Sequence, residues 1–223
     1  MRTNSIDFVR GIAFILMLIH HYHYFNPAYT VLPKHVKTIG LISRSLFIFL
    51  VGFNIKFFYK SKINYFSQFK LLISAIIVTV TTMIFLPHDR IIFFGILHFI
   101  FLSSLLMKHL AFNYSLVIAV AISCKIINDL YIKNNISNNY FMISLGGMSF
   151  DKSPIDIFQL LNWLPLVCYG IIAGGIFKSY FSDKLSYKEN IITKPIEFIG
   201  KNSLFLYVLH IVPCIYWMKS KFH

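Results

Sequence analysis

The chain has 223 residues, of which 57 % are apolar and 13 % charged, and its mean hydropathy is +0.68. About a quarter of a soluble domain is charged, so this composition excludes an ordinary cytosolic globule, and its apolar content excludes disorder. The formal net charge of +13 would point to nucleic acid in a soluble protein. Here the basic residues fall between long apolar runs, as in membrane proteins, and no nucleic-acid partner is expected. A spanning helix needs roughly 20 mostly apolar residues, and seven segments approach that length: 6–25, 36–58, 69–87, 91–107, 112–132, 155–177 and 198–218. The first leads into Ile19-His20-His21-Tyr22-His23-Tyr24, not into a small-residue cleavage site, and so reads as a span and not a signal peptide. The fourth is short, and the fifth carries Lys125, Asn128 and Asp129 near its end. Residues 133–154, rich in Asn, Ser and Gly, read as the longest loop. The expected fold is all-α, a polytopic transmembrane helix bundle of about seven spans, forming a single domain over residues 1–223.

Lysines and arginines set the orientation. Twelve lie in loops or helix ends on the side of the N-terminus and seven on the opposite side, leaving out Lys125 and Arg44 within segments. The positive-inside rule then puts the N-terminus in the cytoplasm and the C-terminus outside or in a lumen.

Ionisable residues inside spans are costly and are the first places to look for function. Asp7 and Arg10, three apart at the start of the first segment, share a helix face and can pair. They either anchor a helix end, or Arg10 offers a bidentate guanidinium to a phosphate-bearing ligand entering from the cytoplasm. Positions 10, 14, 17 and 21 share one face, so Arg10 and His21 are three turns, about 16 Å, apart. That length is comparable with the pantetheine arm of coenzyme A. His20, His21 and His23 crowd the far end of this segment, while His98 and His210 sit within later ones. Such imidazoles are either satisfied structural donors or proton acceptors. Arg44 calls for a partner such as Asp156, Asp89 or a ligand. Asn162-Trp163 and Asn202-Ser203 put amides into the last two segments, to steady a carbonyl or to tie helices together. Gly170 and Gly174 form a small-xxx-small pair suited to close helix contact. Cys124, Cys168 and Cys214 lie in apolar stretches without metal-like spacing and read as buried thiols. The spacings of His20, His21 and His23 suit metal, but no cysteine or carboxylate lies nearby to complete a tetrahedral set, and no metal is expected.

Several of these residues fall into a familiar order. Ile6-Asp7-Phe8-Val9-Arg10-Gly11-Ile12-Ala13, with Met17 and His21, resembles the opening of membrane acyltransferases of the heparan-α-glucosaminide N-acetyltransferase type and their bacterial relatives. Phe47-Ile48-Phe49-Leu50-Val51-Gly52 follows, then Asp89 with Gly95-Ile96-Leu97-His98, then Asp156 with Asn162-Trp163 and Gly170. Ile199 to His210 resembles the last-helix signature. The opening Asp-x-x-Arg-Gly is shared with the longer sugar O-acyltransferases, and Asn-Trp stands here where the family has Pro-Trp.

The resemblance implies acetyl-CoA as cytoplasmic acyl donor and a sugar-type amine or hydroxyl acceptor on the outer side. In the family a histidine of the first outer loop is catalytic, with an asparagine partner at the end of the preceding helix. The partner position corresponds to His21, the catalytic position falls near Leu32, and His35 is the closest histidine. His35 is therefore the first choice for general base and His21 the second. Arg10, His98, Asn202 and His210 are expected to contact the donor. Asp7, Arg44, Asp89, Asp156, Asn162 and Trp163 are expected in structural or substrate contacts. The expected partners are the lipid bilayer, acyl-CoA, a carbohydrate acceptor and a second copy of the chain in a homodimer. A rival of another class is a non-catalytic or transport protein with a histidine-lined path for protons, metal or a small solute. Coenzyme A discriminates, since it stabilises an enzyme and is ignored by a channel.

Overall fold

The computed structural model describes residues 4–26, 28, 31–58, 65–86, 91–132, 144–145, 157–181 and 193–222. The helices in chain order are α1 (Asn4–Phe25), α2 (Lys34–Phe57), α3 (Tyr65–Phe85), α4 (Ile96–Leu110), α5 (Tyr114–Ile127), α6 (Leu160–Phe181), α7 (Lys194–Lys201) and α8 (Ser203–Phe222). No strand occurs among the described residues.

Helices α1, α2, α3 and α6 are long and apolar enough to cross a membrane, and α7 with α8 adds a fifth crossing if the bent pair counts as one span. Helix α4 has 15 residues, about 22 Å at 1.5 Å per residue, short of a hydrocarbon core of roughly 30 Å. Helix α5 gives way after 14 residues to a π-helical turn, Asn128–Ile132, at the polar residues that weaken this segment in the sequence. The last apolar segment is not one helix. Asn202 leaves helical geometry (φ −105°, ψ 12°), and its side-chain amide donates to the Phe198 carbonyl at 2.9 Å. Asparagine offers the backbone this local alternative to continuing a helix, and α7 and α8 diverge by 81°.

Glycines determine where helices touch. A Cβ at Gly52 would run into the Val167 carbonyl, and one at Gly170 into the Phe49 carbonyl. The backbones of α2 and α6 therefore lie in direct contact, as the Gly170/Gly174 spacing predicts. Ser43 Oγ donates to the Ala13 carbonyl at 2.7 Å and ties α2 to α1. Lys56 Nζ donates to the Ala111 carbonyl at 2.6 Å, under the Tyr114 ring, and pins the end of α2 to the α4–α5 turn. The core runs through Phe14, Ile48, Phe99, Val167 and Ile211.

The outward faces are also apolar. Ile76, Ile77, Ile84 and Phe85 of α3 and Phe205, Leu209, Val212 and Tyr216 of α8 are all exposed. Contiguous apolar surface of this kind is unfavourable in water and matched to lipid.

Candidate functional site

Helix α1 carries the site because both halves of the broken last segment lie along it. Near its start, a Cβ on Gly11 would meet the Ile196 carbonyl and one on Gly200 would meet the Asp7 carbonyl, so α7 crosses α1 backbone to backbone. In this corner Arg10 pairs with the fully buried Asp7 at 2.5 Å and reaches the Gly200 carbonyl at 3.5 Å. The expected i, i+3 pair is formed. Helix α8 starts at the same corner and follows α1 to its other end, where Tyr22 meets Trp217 edge to face.

Between these contacts lies a hydrogen-bonded histidine pair. His21 Nδ1 is 2.9 Å from His210 Nε2, and His210 Nδ1 is 2.5 Å from the Tyr207 carbonyl. A carbonyl only accepts, so Nδ1 of His210 carries the hydrogen. In a neutral ring Nε2 of His210 then holds a lone pair and accepts from Nδ1–H of His21. The hydrogen of neutral His21 is thereby fixed on Nδ1, which leaves Nε2 of His21 as a bare lone pair. Phe14, Phe25 and Tyr207 pack against the two rings. The Tyr207 carbonyl thus sets, through two imidazoles, which nitrogen of His21 can take a proton.

The remaining expected residues scatter. His20 stacks on Tyr24 and lies against Gly40, where a Cβ would overlap its ring. His23 turns back to the Ile19 carbonyl at 2.9 Å. His35, expected in the first outer loop, lies instead in the exposed first turn of α2, which begins directly after Pro33, a residue that suits a helix start. Arg44 donates from Nε to the Gly40 carbonyl at 3.2 Å and faces the Phe158 ring. Asp89 and Asp156 lie outside the described residues. Asn162 is exposed and bonds Gln159, three residues back, while Trp163 packs on Phe158. Asn202 stands at the helix break and not within a span.

His98 is held by α3. Thr79 Oγ1 is 2.8 Å from the Ile92 carbonyl, so its hydrogen goes there, and it accepts Nε2–H of His98 at 3.2 Å. Nδ1 of His98 is buried with no hydrogen-bond partner among the described residues. His98 is thus held through Nε2, with the lone pair of its buried Nδ1 left unbonded among the described residues.

Sequence reasoning missed three residues. Cys214, one turn beyond His210 on α8 and itself buried, brings its ligand atom within 4.8 Å of those of His21 and His210. This corrects the reading that no cysteine lies near the histidines. His21 and Cys214 are 193 positions apart in sequence, and only the i, i+4 spacing of His210 and Cys214 signals a shared face. Glu197, 2 % exposed, sits on α7 where that helix crosses α1, and Thr79 fixes His98. Neither matches a motif.

A chain whose described residues hold helices and no strand, with lipid-matched faces, an imidazole pair near one end of a helix and an Asp–Arg pair near the other, is an integral, multi-pass membrane protein. No curated protein and no solved structure matches the chain. The family profile described as heparan-alpha-glucosaminide N-acetyltransferase, catalytic, matches residues 2–212. The chain belongs to this family, and membership assigns it a transmembrane acetyltransferase-type function.

Proposed function

We propose that the protein transfers an acetyl or related acyl group from cytoplasmic acyl-CoA to an amine or hydroxyl of a sugar-type acceptor on the outer side of a membrane. Helix α4, helix α5 with its π turn, and the α7–α8 pair complete a bundle of about seven crossings, with the N-terminus cytoplasmic. The observation that carries the reading is the His21–His210 pair, its free nitrogen fixed by the Tyr207 carbonyl and lying three turns of α1 from Arg10, about 16 Å.

Arg10 is a planar fork suited to phosphate, beside the start of α8, where a helix N-terminus presents N–H groups to anions. This end takes the coenzyme A phosphates, and the pantetheine arm runs along α1 towards the histidines. His98, with its bare Nδ1, accepts a hydrogen bond from the donor. At the far end Nε2 of His21 accepts the acceptor's proton as the amine or hydroxyl forms its bond to the acyl carbon. The carbon–sulfur bond breaks, coenzyme A leaves as thiolate, and the proton held on His21 passes to that sulfur. His21 acts as base in preference to His35, because His35 is exposed and no described residue orients it, whereas His21 has a fixed tautomer.

The same histidine pair also suits a proton path, the reading of the other class. Detergent-purified protein given acetyl-CoA and an amino sugar separates the two. Acetylated sugar and free coenzyme A in equal amounts are expected. A protein that neither binds acetyl-CoA nor forms product is not this enzyme.

A further inference from the structure

Two imidazoles and a thiol meet where α1 and α8 pack. One ligand atom from each of His21, His210 and Cys214 lies within 4.8 Å of the others. Three ligands at 2.0–2.3 Å around a common ion stand roughly 3.5–4.0 Å apart. His21 and His210 nitrogens at 2.9 Å must separate by roughly half an ångström, and the widest pair, within 4.8 Å, closes by about 1 Å at most. Pro213 lies between His210 and Cys214 inside α8. A proline within a helix removes a backbone bond and loosens the turn, which allows that adjustment.

We propose that His21, His210 and Cys214 form a binding site for one thiophilic closed-shell metal ion, with Cu+ fitting the donor set best, and that its occupation switches off the base. Two nitrogens and one sulfur in a three-ligand arrangement match copper, and soft thiolate selects Cu+. Charge favours it too. Cys214 must bind as thiolate and the histidines as neutral rings, so Cu+ leaves the site neutral. Zn2+ would leave one uncompensated charge among Phe14, Phe25 and Tyr207, where desolvation is costly. Binding releases one proton per ion, from the Cys214 thiol, and no electron is transferred.

The ion takes the place of the hydrogen that His21 shares with His210. A neutral His21 then carries its hydrogen on Nε2, the atom that otherwise accepts the acceptor's proton, and transfer stops. This second half rests on the proposed acyl transfer, whereas the binding half does not.

The test uses the full untagged chain in detergent under reductant. Cu+ is titrated in competition with a colorimetric Cu+ chelator, Zn2+ by calorimetry, and acetyl transfer is assayed in parallel. One equivalent of Cu+ is expected to bind, with affinity falling about tenfold or more in Cys214→Ser and in Cys214→Ala. Both variants should keep metal-free transfer, since Cys214 is not part of the hydrogen-bonded pair, and should resist copper where the unmodified chain is inhibited. Cu+ affinity that is negligible, or unchanged in both variants, overturns the site. Zn2+ binding tighter than Cu+ overturns the choice of ion. Copper bound through Cys214 with undiminished transfer overturns the switch. Copper binding by a chain that never transfers acetyl overturns the proposed enzyme and leaves the site standing.

Discussion

His21 and His210 are 189 positions apart in sequence and 2.9 Å apart in space, and the bond between them orders the chemistry of the end of α1. Its direction follows from a backbone carbonyl, that of Tyr207, which no side-chain substitution removes. In the proposed transfer His210 therefore positions His21 and does not take the proton itself.

A split between the two histidines tests this. His21→Ala should lower transfer by about 10²–10⁴-fold, the usual contribution of a placed general base, with acetyl-CoA binding nearly intact. His210→Leu should lower it less, because a base remains but its tautomer is released. His210→Gln should recover part of the loss, since the amide oxygen can still accept from Nδ1–H of His21. His35→Ala, measured alongside, should leave most activity. Full activity in His21→Ala with loss in His35→Ala would return the base to the start of α2.

The close approach of α7 and α1 is testable through Gly200. A Cβ there would overlap the Asp7 carbonyl, which is backbone and cannot swing away. Overpacking typically costs about 1–3 kcal/mol, so Gly200→Ala should lower the melting temperature in detergent and weaken acetyl-CoA binding, because Arg10 sits in the same corner. An unchanged melting curve would mean that α7 does not lie against α1.

Much of the fold was legible. Hydropathy marks each apolar segment that becomes a helix, and Gly170/Gly174 foretells a close helix contact on α6, though not that α2 supplies the other side. The break at Asn202 was not legible, since Ile199 to His210 is apolar enough to read as one run and the break depends on one amide bonding back four residues. Within the site, sequence could pair Asp7 with Arg10 because helix periodicity links them locally. His21 with His210 and Cys214 is a contact across the bundle, which periodicity along one helix does not encode. The cost of burial and the family resemblance both single out His98 and His210, but neither points to their partners Thr79 and Tyr207.

His98 offers a check on the α3–α4 packing. Thr79 Oγ1 serves both the Ile92 carbonyl and His98 Nε2–H. Thr79→Val leaves both without this partner at nearly constant volume, and each unsatisfied buried group costs about 1–3 kcal/mol. Thermal unfolding in detergent should register the loss. His98→Ala should in addition weaken acetyl-CoA binding if its Nδ1 meets the donor, and unchanged affinity would confine His98 to packing.

Orientation rests on the excess of basic residues beside the N-terminus. With that end cytoplasmic, Asn135-Ile136-Ser137 is on the outer side and should be glycosylated when the chain is made through an endoplasmic reticulum. A cysteine placed in 133–154 should react with a membrane-impermeant reagent in intact cells. Labelling only after permeabilisation would reverse the orientation, and with it the side from which donor and acceptor approach.

The proposed donor end turns on Arg10. It holds a buried carboxylate at 2.5 Å, so two roles compete: neutralising Asp7 and binding phosphate. Arg10→Lys keeps the charge for Asp7 but loses the planar fork that engages two phosphate oxygens at once. If Arg10 binds coenzyme A, this substitution should weaken acetyl-CoA by about tenfold, or 1.4 kcal/mol, with little change in melting temperature. Arg10→Ala should affect both, because it also leaves Asp7 buried without its cation. Isothermal titration with acetyl-CoA and with dephosphorylated coenzyme A tells whether the lost contact is to a phosphate. The difference between those ligands should shrink in Arg10→Lys. If Arg10→Lys binds acetyl-CoA as the unmodified chain does while Arg10→Ala only unfolds earlier, Arg10 is the partner of Asp7 and the phosphates are held elsewhere.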